Sequence, residues 1–437
     1  MVRGLRVWAA AALVSAVSIF QIGSVSAASE EVIARGEYLA RASNCVACHS
    51  SYGGEAFAGG LLMALPFGLG EIYATNITPD PDAGIGNYTL EDFDAALRLG
   101  VAKDGHMLYP AMPYPSYAIM SDDDIAAMYA YFMEAVEPAA TPTPPNDISW
   151  PLNMRWPLKV WNFLFSTTER YQPDASQSEA WNRGAYLVQG PGHCGACHTP
   201  RGLFFQEASL DDDGEDFLAG GVLDHWSAGN LRQDVNTGLG RWSEDDIAAF
   251  LKTGHNEYGS AFGTMTEVIN NSTQHLSDED LNAMAVYLKS LSPIGEDGPP
   301  YQYDSASAEA IRAGDFDQQG LLIYRQKCMA CHQADGQAHA PYIPPLAGNP
   351  AVLDPAPDSL INITLNGTQR IVVGGIPDAY WMPRFRVMLS DQEVADVVTF
   401  MRKAWGNNAS AVTAAKVAEI RAGTTAATDA VQILKMK

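Results

Sequence analysis

Basic residues are scarce in this chain: 27 Lys and Arg stand against 51 Asp and Glu, giving a net charge of −24 and a pI near 4.6. Nucleic-acid binding needs a basic face, so that class of function is excluded. Cysteine is scarcer still. There are six in 437 residues, all inside three short motifs, so no thiol remains for a disulfide, a nucleophile or a cluster. Long apolar runs are missing after residue 27: nothing reaches the roughly 18 charge-free residues that a spanning helix requires. There is no nucleotide or flavin fingerprint, no nucleophile elbow and no metal triad. What remains is an acidic surface, which favours solubility and steers a protein toward basic patches on partners.

The three motifs are Cys45-Val46-Ala47-Cys48-His49, Cys194-Gly195-Ala196-Cys197-His198 and Cys328-Met329-Ala330-Cys331-His332. C-x-x-C-H is the attachment signature of c-type haem. Two thiols one helical turn apart add across the two vinyl groups of one porphyrin, and the adjacent imidazole reaches the iron from the same side. A zinc site would need four ligands, usually from paired knuckles, and motifs this far apart do not pair. A redox dithiol follows a strand in a βαβ pattern and has no use for the histidine. The expectation is three covalent haems on Cys45, Cys48, Cys194, Cys197, Cys328 and Cys331, with His49, His198 and His332 on the irons.

The first 27 residues read as a secretory signal peptide. Arg3 and Arg6 precede an apolar run over 7–22, and Val25-Ser26-Ala27 is a small-residue cleavage site. Export fits a haem that is attached outside the cytoplasm. The motifs then recur roughly every 140 residues, a period that means repeated domains. In each repeat a short helix leads into the motif, a Gly- and Pro-rich region follows, and a capped helix closes the unit. The leading helices contain Gly36-Glu37-Tyr38-Leu39, Gly184-Ala185-Tyr186-Leu187 and the segment 320–324. The closing helices start at Ser121, Ser277 and Ser390, each followed by acids that suit a helix N-terminus. Behind each serine an apolar stripe runs at i, i+3, i+4, i+7 spacing: Ile125, Met128, Tyr129, Phe132; Leu281, Met284, Ala285, Leu288; Val394, Val397, Val398, Met401. Middle helices with similar caps are expected at Thr89 and Ser243.

Two stretches stand outside the repeat. After the Pro-rich linker at 138–145, the segment 148–165 holds Trp150, Trp156, Trp161, Phe163 and Phe165, too much apolar surface to leave bare. Two readings stay open: packing across the first two units, or a docking strip for a partner subunit or the membrane surface. The tail, 409–437, is either a loose extension or a surface anchor.

The second axial ligand separates enzymes from carriers, because a Met thioether raises the potential and closes the iron to substrates. Each unit places one Met in a loop between its middle segment and its capped helix: Met112, Met265 and Met382. Met128, Met284 and Met401 lie on the helix stripes and read as core filler, while Met120 and Met388, at helix starts, are weaker candidates. The other histidines show no pattern across units and read as ordinary surface or hydrogen-bonding residues. Each haem histidine should donate its second N–H to a backbone carbonyl, with Pro66, Pro200 and Pro345 as candidate acceptors.

Asn76-Ile77-Thr78-Pro79-Asp80, Tyr109-Pro110-Ala111-Met112-Pro113-Tyr114, Gly190-Pro191-Gly192-His193-Cys194, Gly240-Arg241-Trp242-Ser243-Glu244-Asp245-Asp246 and Ala395-Asp396-Val397-Val398-Thr399-Phe400-Met401-Arg402 belong together. Over about 31–408 the chain resembles the triple-haem cytochrome c subunits of membrane-bound dehydrogenases of acetic acid bacteria. The family includes those of quinone-dependent alcohol dehydrogenase and gluconate 2-dehydrogenase. The resemblance implies an all-α chain of three tandem class I-like cytochrome c domains: 28–140, 181–294 and 316–408. They would be joined by linkers at 141–180 and 295–315, with the tail behind them. It also places Met112, Met265 and Met382 at the family's axial positions. It implies a larger partner subunit, a flavoprotein or a PQQ quinoprotein, that oxidises a CH–OH donor, with a small third subunit possible in such complexes. Electrons would pass to ubiquinone at the periplasmic face of the inner membrane, and this chain would contribute no catalytic residue. Alcohol dehydrogenase members tend to have a longer tail, which favours the gluconate or sugar-acid branch. The competing readings are a free-standing multihaem shuttle and a haem peroxidase-like enzyme with an open iron face.

Overall fold

The computed structural model describes residues 28–65, 68–295, 298–315 and 318–428, with 431, 434 and 436. The expected signal peptide, 1–27, and Pro66 lie outside them. The same pair of crossed helices is built three times. Glu30–Ala42 leads into a one-turn helix, Cys45–Cys48, and Asp122–Glu134 closes the first unit. In the second unit these parts are Glu179–Gln189, Gly195–His198 and Asp278–Ser290, and in the third Gln319–Lys327, Met329–His332 and Asp391–Lys403. Ser121, Ser277 and Ser390 cap the closing helices by accepting the N–H of Asp124, Asp280 and Glu393. Every residue of the three predicted stripes is buried except Tyr129, which is half-buried.

The crossing point explains the leading-helix glycines. A Cβ on Gly36 would fall on the carbonyl oxygen of Ala127, on Gly184 on that of Ala283, and on Gly320 on that of Asp396. Beyond that carbonyl group, the next residue met is the aromatic one turn later, through its Cβ: Tyr131, Tyr287 or Phe400. Backbone therefore meets backbone at each crossing, and the aromatic wedges beside it. Around each crossing lies a separate hydrophobic cluster, containing Tyr131, Tyr287 and Phe400 respectively.

The middle helices Leu90–Leu99 and Glu244–Thr253 start with capping boxes at Thr89 and Ser243, whereas Asp358–Asn366 in the third unit has no side-chain cap. The chain is mostly helical, yet an all-α description needs amending. Leu62–Ala64, Gly70–Tyr73 and Asp147–Ile148 form an antiparallel sheet in that order. Gly221–Leu223 pairs with Trp226–Ala228, and Val372–Val373 with Ile376–Pro377. The Gly-rich loops fold back on themselves, and their backbone groups are satisfied by short ladders. The tail also folds back. Ala414–Gly423 buries Val417 and Ile420 on the third unit, and the Met436 carbonyl accepts a hydrogen bond from Tyr131 Oη at 3.2 Å.

Units one and two meet through a reciprocal pair of contacts. Tyr38 Oη donates to Asp280 Oδ2 at 2.5 Å, and Tyr186 Oη donates to Asp124 Oδ2 at 2.5 Å. The Ser277 and Ser121 N–H groups return bonds to those two hydroxyls. Arg183 grips Asp280 with two bonds of 2.7 Å, and Arg35 Nε reaches Asp124 at 2.6 Å. Burial opposes ionisation of Asp280, but the bonds from Arg183 and Tyr38 outweigh it and hold its carboxyl below the usual range. The third unit has Leu322 where the others have tyrosine. There Glu393 completes a capping box instead. Units two and three join by amide-to-backbone contacts, such as Asn270 with Arg370 and Val372, and by His255 with Asp378 at 2.7 Å.

Gly184→Val should destabilise the second unit by at least the ~1–3 kcal/mol of ordinary overpacking, because the obstruction is backbone. Denaturant unfolding followed by near-UV dichroism reads this. Tyr186→Phe removes a buried bond to a carboxylate and should cost about 1.5–3 kcal/mol, with no matching loss for Leu322→Ala beyond its own packing.

Candidate haem sites

Each motif forms a single helical turn that places both thiols on one side, with the histidine at its end. Nδ1 of His49 lies 2.7 Å from the Thr75 carbonyl, that of His198 2.6 Å from the Gly229 carbonyl, and that of His332 3.2 Å from the Pro344 carbonyl. A carbonyl can only accept, so Nδ1 carries the proton and the Nε2 lone pair is left free. Nε2 has no partner at any of the three among the described residues. Burial lowers the His49 and His198 pKa values and takes His332 down to about 4, so all three rings are neutral near pH 7. A neutral imidazole with a fixed tautomer and an unused nitrogen is the form that ligates iron, and the donor set fits c-type haem. Burial also pushes Cys45, Cys194 and Cys328 up to about 12 and Cys48 up to about 11. Free thiols so placed are protonated and poor nucleophiles.

The expected proline acceptors are corrected. Pro200 and Pro345 do not receive the histidines, and Pro66 lies outside the described residues. In the third unit the acceptor is Pro344, one residue earlier than expected. In the first two it lies in a turn that packs back across the motif, carrying a pattern that does recur: Ala74-Thr75-Asn76-Ile77 and Ala228-Gly229-Asn230-Leu231. The asparagine folds that turn by accepting the N–H two residues on, from Thr78 at 2.9 Å and Arg232 at 2.7 Å.

Met112, Met265 and Met382 are all half-buried, each packed against the hydrophobic cluster of its own unit. Met112 lies in a turn bracketed by bonds from its N–H to Tyr109 and from Tyr114 to its carbonyl. Met382 is tied through its backbone to Thr368 in both directions. Met265 is not in a loop but in the first turn of the helix Thr264–Asn271, which Gly263 opens at a φ of 57°. Met128, Met284, Met401 and Met120 are buried, and Met388 is exposed.

A profile of the cytochrome c family matches residues 33–135 and 318–405. The chain is 50% identical to the gluconate 2-dehydrogenase cytochrome c subunit of Pantoea cypripedii, over 90% of each chain. It is 48% identical to the cytochrome c subunit of the quinone alcohol dehydrogenase of Gluconobacter oxydans, over 95% of this chain and 87% of that one. The corresponding subunit of Gluconacetobacter polyoxogenes is 46% identical over 96% and 91%. The chain belongs to this family of dehydrogenase cytochrome c subunits.

Within this cytochrome subunit the first two attachment turns face each other across the tyrosine–carboxylate seam. Burial, with smaller contributions from Glu267 and from Cys197 of the second turn, raises the Cys48 pKa. Tyr52, just past the first motif, donates to Glu267 at 2.6 Å on the helix that carries Met265. His193 bonds the Ser43 carbonyl at 3.3 Å and meets the Tyr117 ring edge-on, a hydrogen-bonding role as expected. One neighbour had no sequence signal. The Glu207 carboxyl lies against Gly195, where a Cβ would collide with it, and burial pushes its pKa up to about 7. The other motifs have Val46 and Met329 at that place, so the glycine marks the spot only in hindsight.

Asn76→Ala strips bonds from the buried Thr78 N–H and from the Ala139 carbonyl. It should cost about 1–3 kcal/mol for each group left unsatisfied. By loosening the Thr75 carbonyl it should also raise the midpoint potential of one haem in a redox titration, because a less basic imidazole stabilises the oxidised iron less.

Proposed function

We propose that the cytochrome subunit carries three c-type haems in three tandem class I-like domains, 28–140, 181–294 and 316–408. It would pass electrons from a partner dehydrogenase to ubiquinone at the periplasmic face of the inner membrane. Covalently bound haem supplies an iron that accepts and returns one electron at a time. Cys45 and Cys48, Cys194 and Cys197, and Cys328 and Cys331 would hold the porphyrins. His49, His198 and His332 would offer Nε2 to the iron, and Met112, Met265 and Met382 a thioether. Two firm protein ligands leave no position for an organic substrate, so transfer is the remaining work.

The observation that carries this reading is the threefold neutral histidine, pinned through Nδ1 to a backbone carbonyl with Nε2 unused. The family profile covers the first and third units. The second unit earns the same assignment from its glycine crossing, its serine cap and its His198–Gly229 bond. The relatives are cytochrome c subunits of a gluconate 2-dehydrogenase and of quinone alcohol dehydrogenases, which supports a dehydrogenase subunit as donor. Our reading goes further: the donor is a larger subunit, flavin- or PQQ-dependent, that oxidises gluconate, a sugar acid or an alcohol, in a complex that can hold a small third subunit.

Pyridine haemochrome analysis should find three haems per chain; two or fewer would refute the assignment. Met112→Ala, Met265→Ala and Met382→Ala should each turn one haem high-spin and lower its potential by on the order of 0.1 V, within the span that axial ligands command. Carbon monoxide binding to all three reduced haems of the unaltered protein would favour the peroxidase-like alternative.

A further inference from the structure

The Trp-rich segment supplies no candidate ligand to the haem sites. Its helix, Pro157–Phe165, contains no buried residue. One side is nonetheless held. Trp161 Nε1 donates to the Phe204 carbonyl at 2.9 Å, Asn162 Nδ2 to the Leu99 carbonyl at 2.9 Å, and Tyr114 Oη to Asn162 Oδ1 at 2.6 Å. These contacts bridge the first and second units and hold the helix as a fixed ridge, as the packing alternative anticipated. The other side is bare: Phe163 is 84% exposed and Trp150 77%, with Trp156 and Leu164 exposed beside them. Leu203, 94% exposed, and Phe204 extend the patch onto the second unit, where the Phe204 ring lies 6.0 Å from Phe165. Apolar exposure on this scale marks an interaction site.

Charge selects the occupant. From 148 to 168 the chain has no acidic residue, and its only charges are Arg155 and Lys159. The whole molecule carries −24. An anionic lipid surface repels that acidic body and attracts this cationic patch. Tryptophans beside cations, with Phe and Leu between them, is the composition of a helix lying in a headgroup region. A basic protein partner would instead be drawn to the acidic faces elsewhere.

The Met112 loop lies directly against this segment. The Arg155 guanidinium stacks on Tyr109 at 3.9 Å and donates to the Met107 carbonyl at 2.7 Å, and Tyr109 Oη donates to the Leu152 carbonyl at 2.8 Å. We infer that the bare face of the Pro157–Phe165 helix, with Trp150, Trp156 and the 203–205 loop, seats in an anionic membrane surface and brings the Met112 side of the first unit to the lipid. The inference rests on the reading that the chain serves a membrane quinone. It adds which face meets the membrane and which unit lies nearest to it.

The test is flotation of the full-length holoprotein with vesicles of phosphatidylethanolamine and phosphatidylglycerol, against vesicles of phosphatidylcholine. The unaltered protein should float with the anionic vesicles, less so as salt rises. Trp156→Ser combined with Phe163→Ser should weaken partition by about a hundredfold, roughly tenfold for each aromatic withdrawn from lipid. Lys159→Glu should weaken binding to the anionic vesicles and leave the neutral ones unaffected. Unchanged haem spectra in both variants establish that they are folded. Flotation of the double variant equal to that of the unaltered protein overturns the inference. So does a double variant that still floats but no longer co-purifies with its dehydrogenase, which would assign the patch to a protein. Failure of the electron-transfer reading shows separately, in haem count and ligand binding measured without vesicles.

Discussion

The constraint beneath this structure is the contact between a glycine in each leading helix and a carbonyl in each closing helix. Gly36, Gly184 and Gly320 bring the two backbones together, and Tyr131, Tyr287 and Phe400 fill the angle beside the crossing. The leading helix delivers the haem motif at its end, so its position relative to the closing helix determines where the motif turn sits. The buried stripes then face inward on the same core against which Met112, Met265 and Met382 pack. One close approach, repeated, organises both halves of each candidate site.

The same local signal ends in two different uses. Ser121, Ser277 and Ser390 each begin a helix with an acid three residues on. Glu393 turns back and closes a capping box. Asp124 and Asp280 are drawn away by an arginine from their own leading helix and a tyrosine from the neighbouring unit. A charge-assisted bond inside a seam is stronger than a cap bond to one exposed N–H, so tertiary partners win where they exist. The outcome is a symmetric join between units one and two and a different, amide-rich join to unit three.

Much of the site was legible in residues. The three motifs, their histidines and the closing helices depend on local spacing, and spacing survives folding unchanged. The acceptors of the histidine N–H were not legible as prolines, because that bond spans 26 residues to Thr75 and 31 to Gly229. The recurring Ala-x-Asn turn was the signal, and it acts by folding a loop back rather than by proximity in sequence. Met265, expected in a loop, lies in a helix, because a positive-φ glycine starts one there. The Trp-rich segment carried two readings; one side of its helix spans the units, as the packing reading expected, while the other side stays bare.

By itself the sequence determined the candidates for the chemistry: the thiols, imidazoles and thioethers that could hold a haem, and a helix at each end of every repeat. Those properties follow from covalent reactivity, ligand type and the 3.6-residue period, all of them short-range. Only the tertiary structure decided which carbonyl orients each imidazole, which carboxylates cap and which bind a neighbouring unit, and which apolar residues stay exposed. Each of those depends on where distant backbone arrives, and that is set by packing rather than by any local pattern.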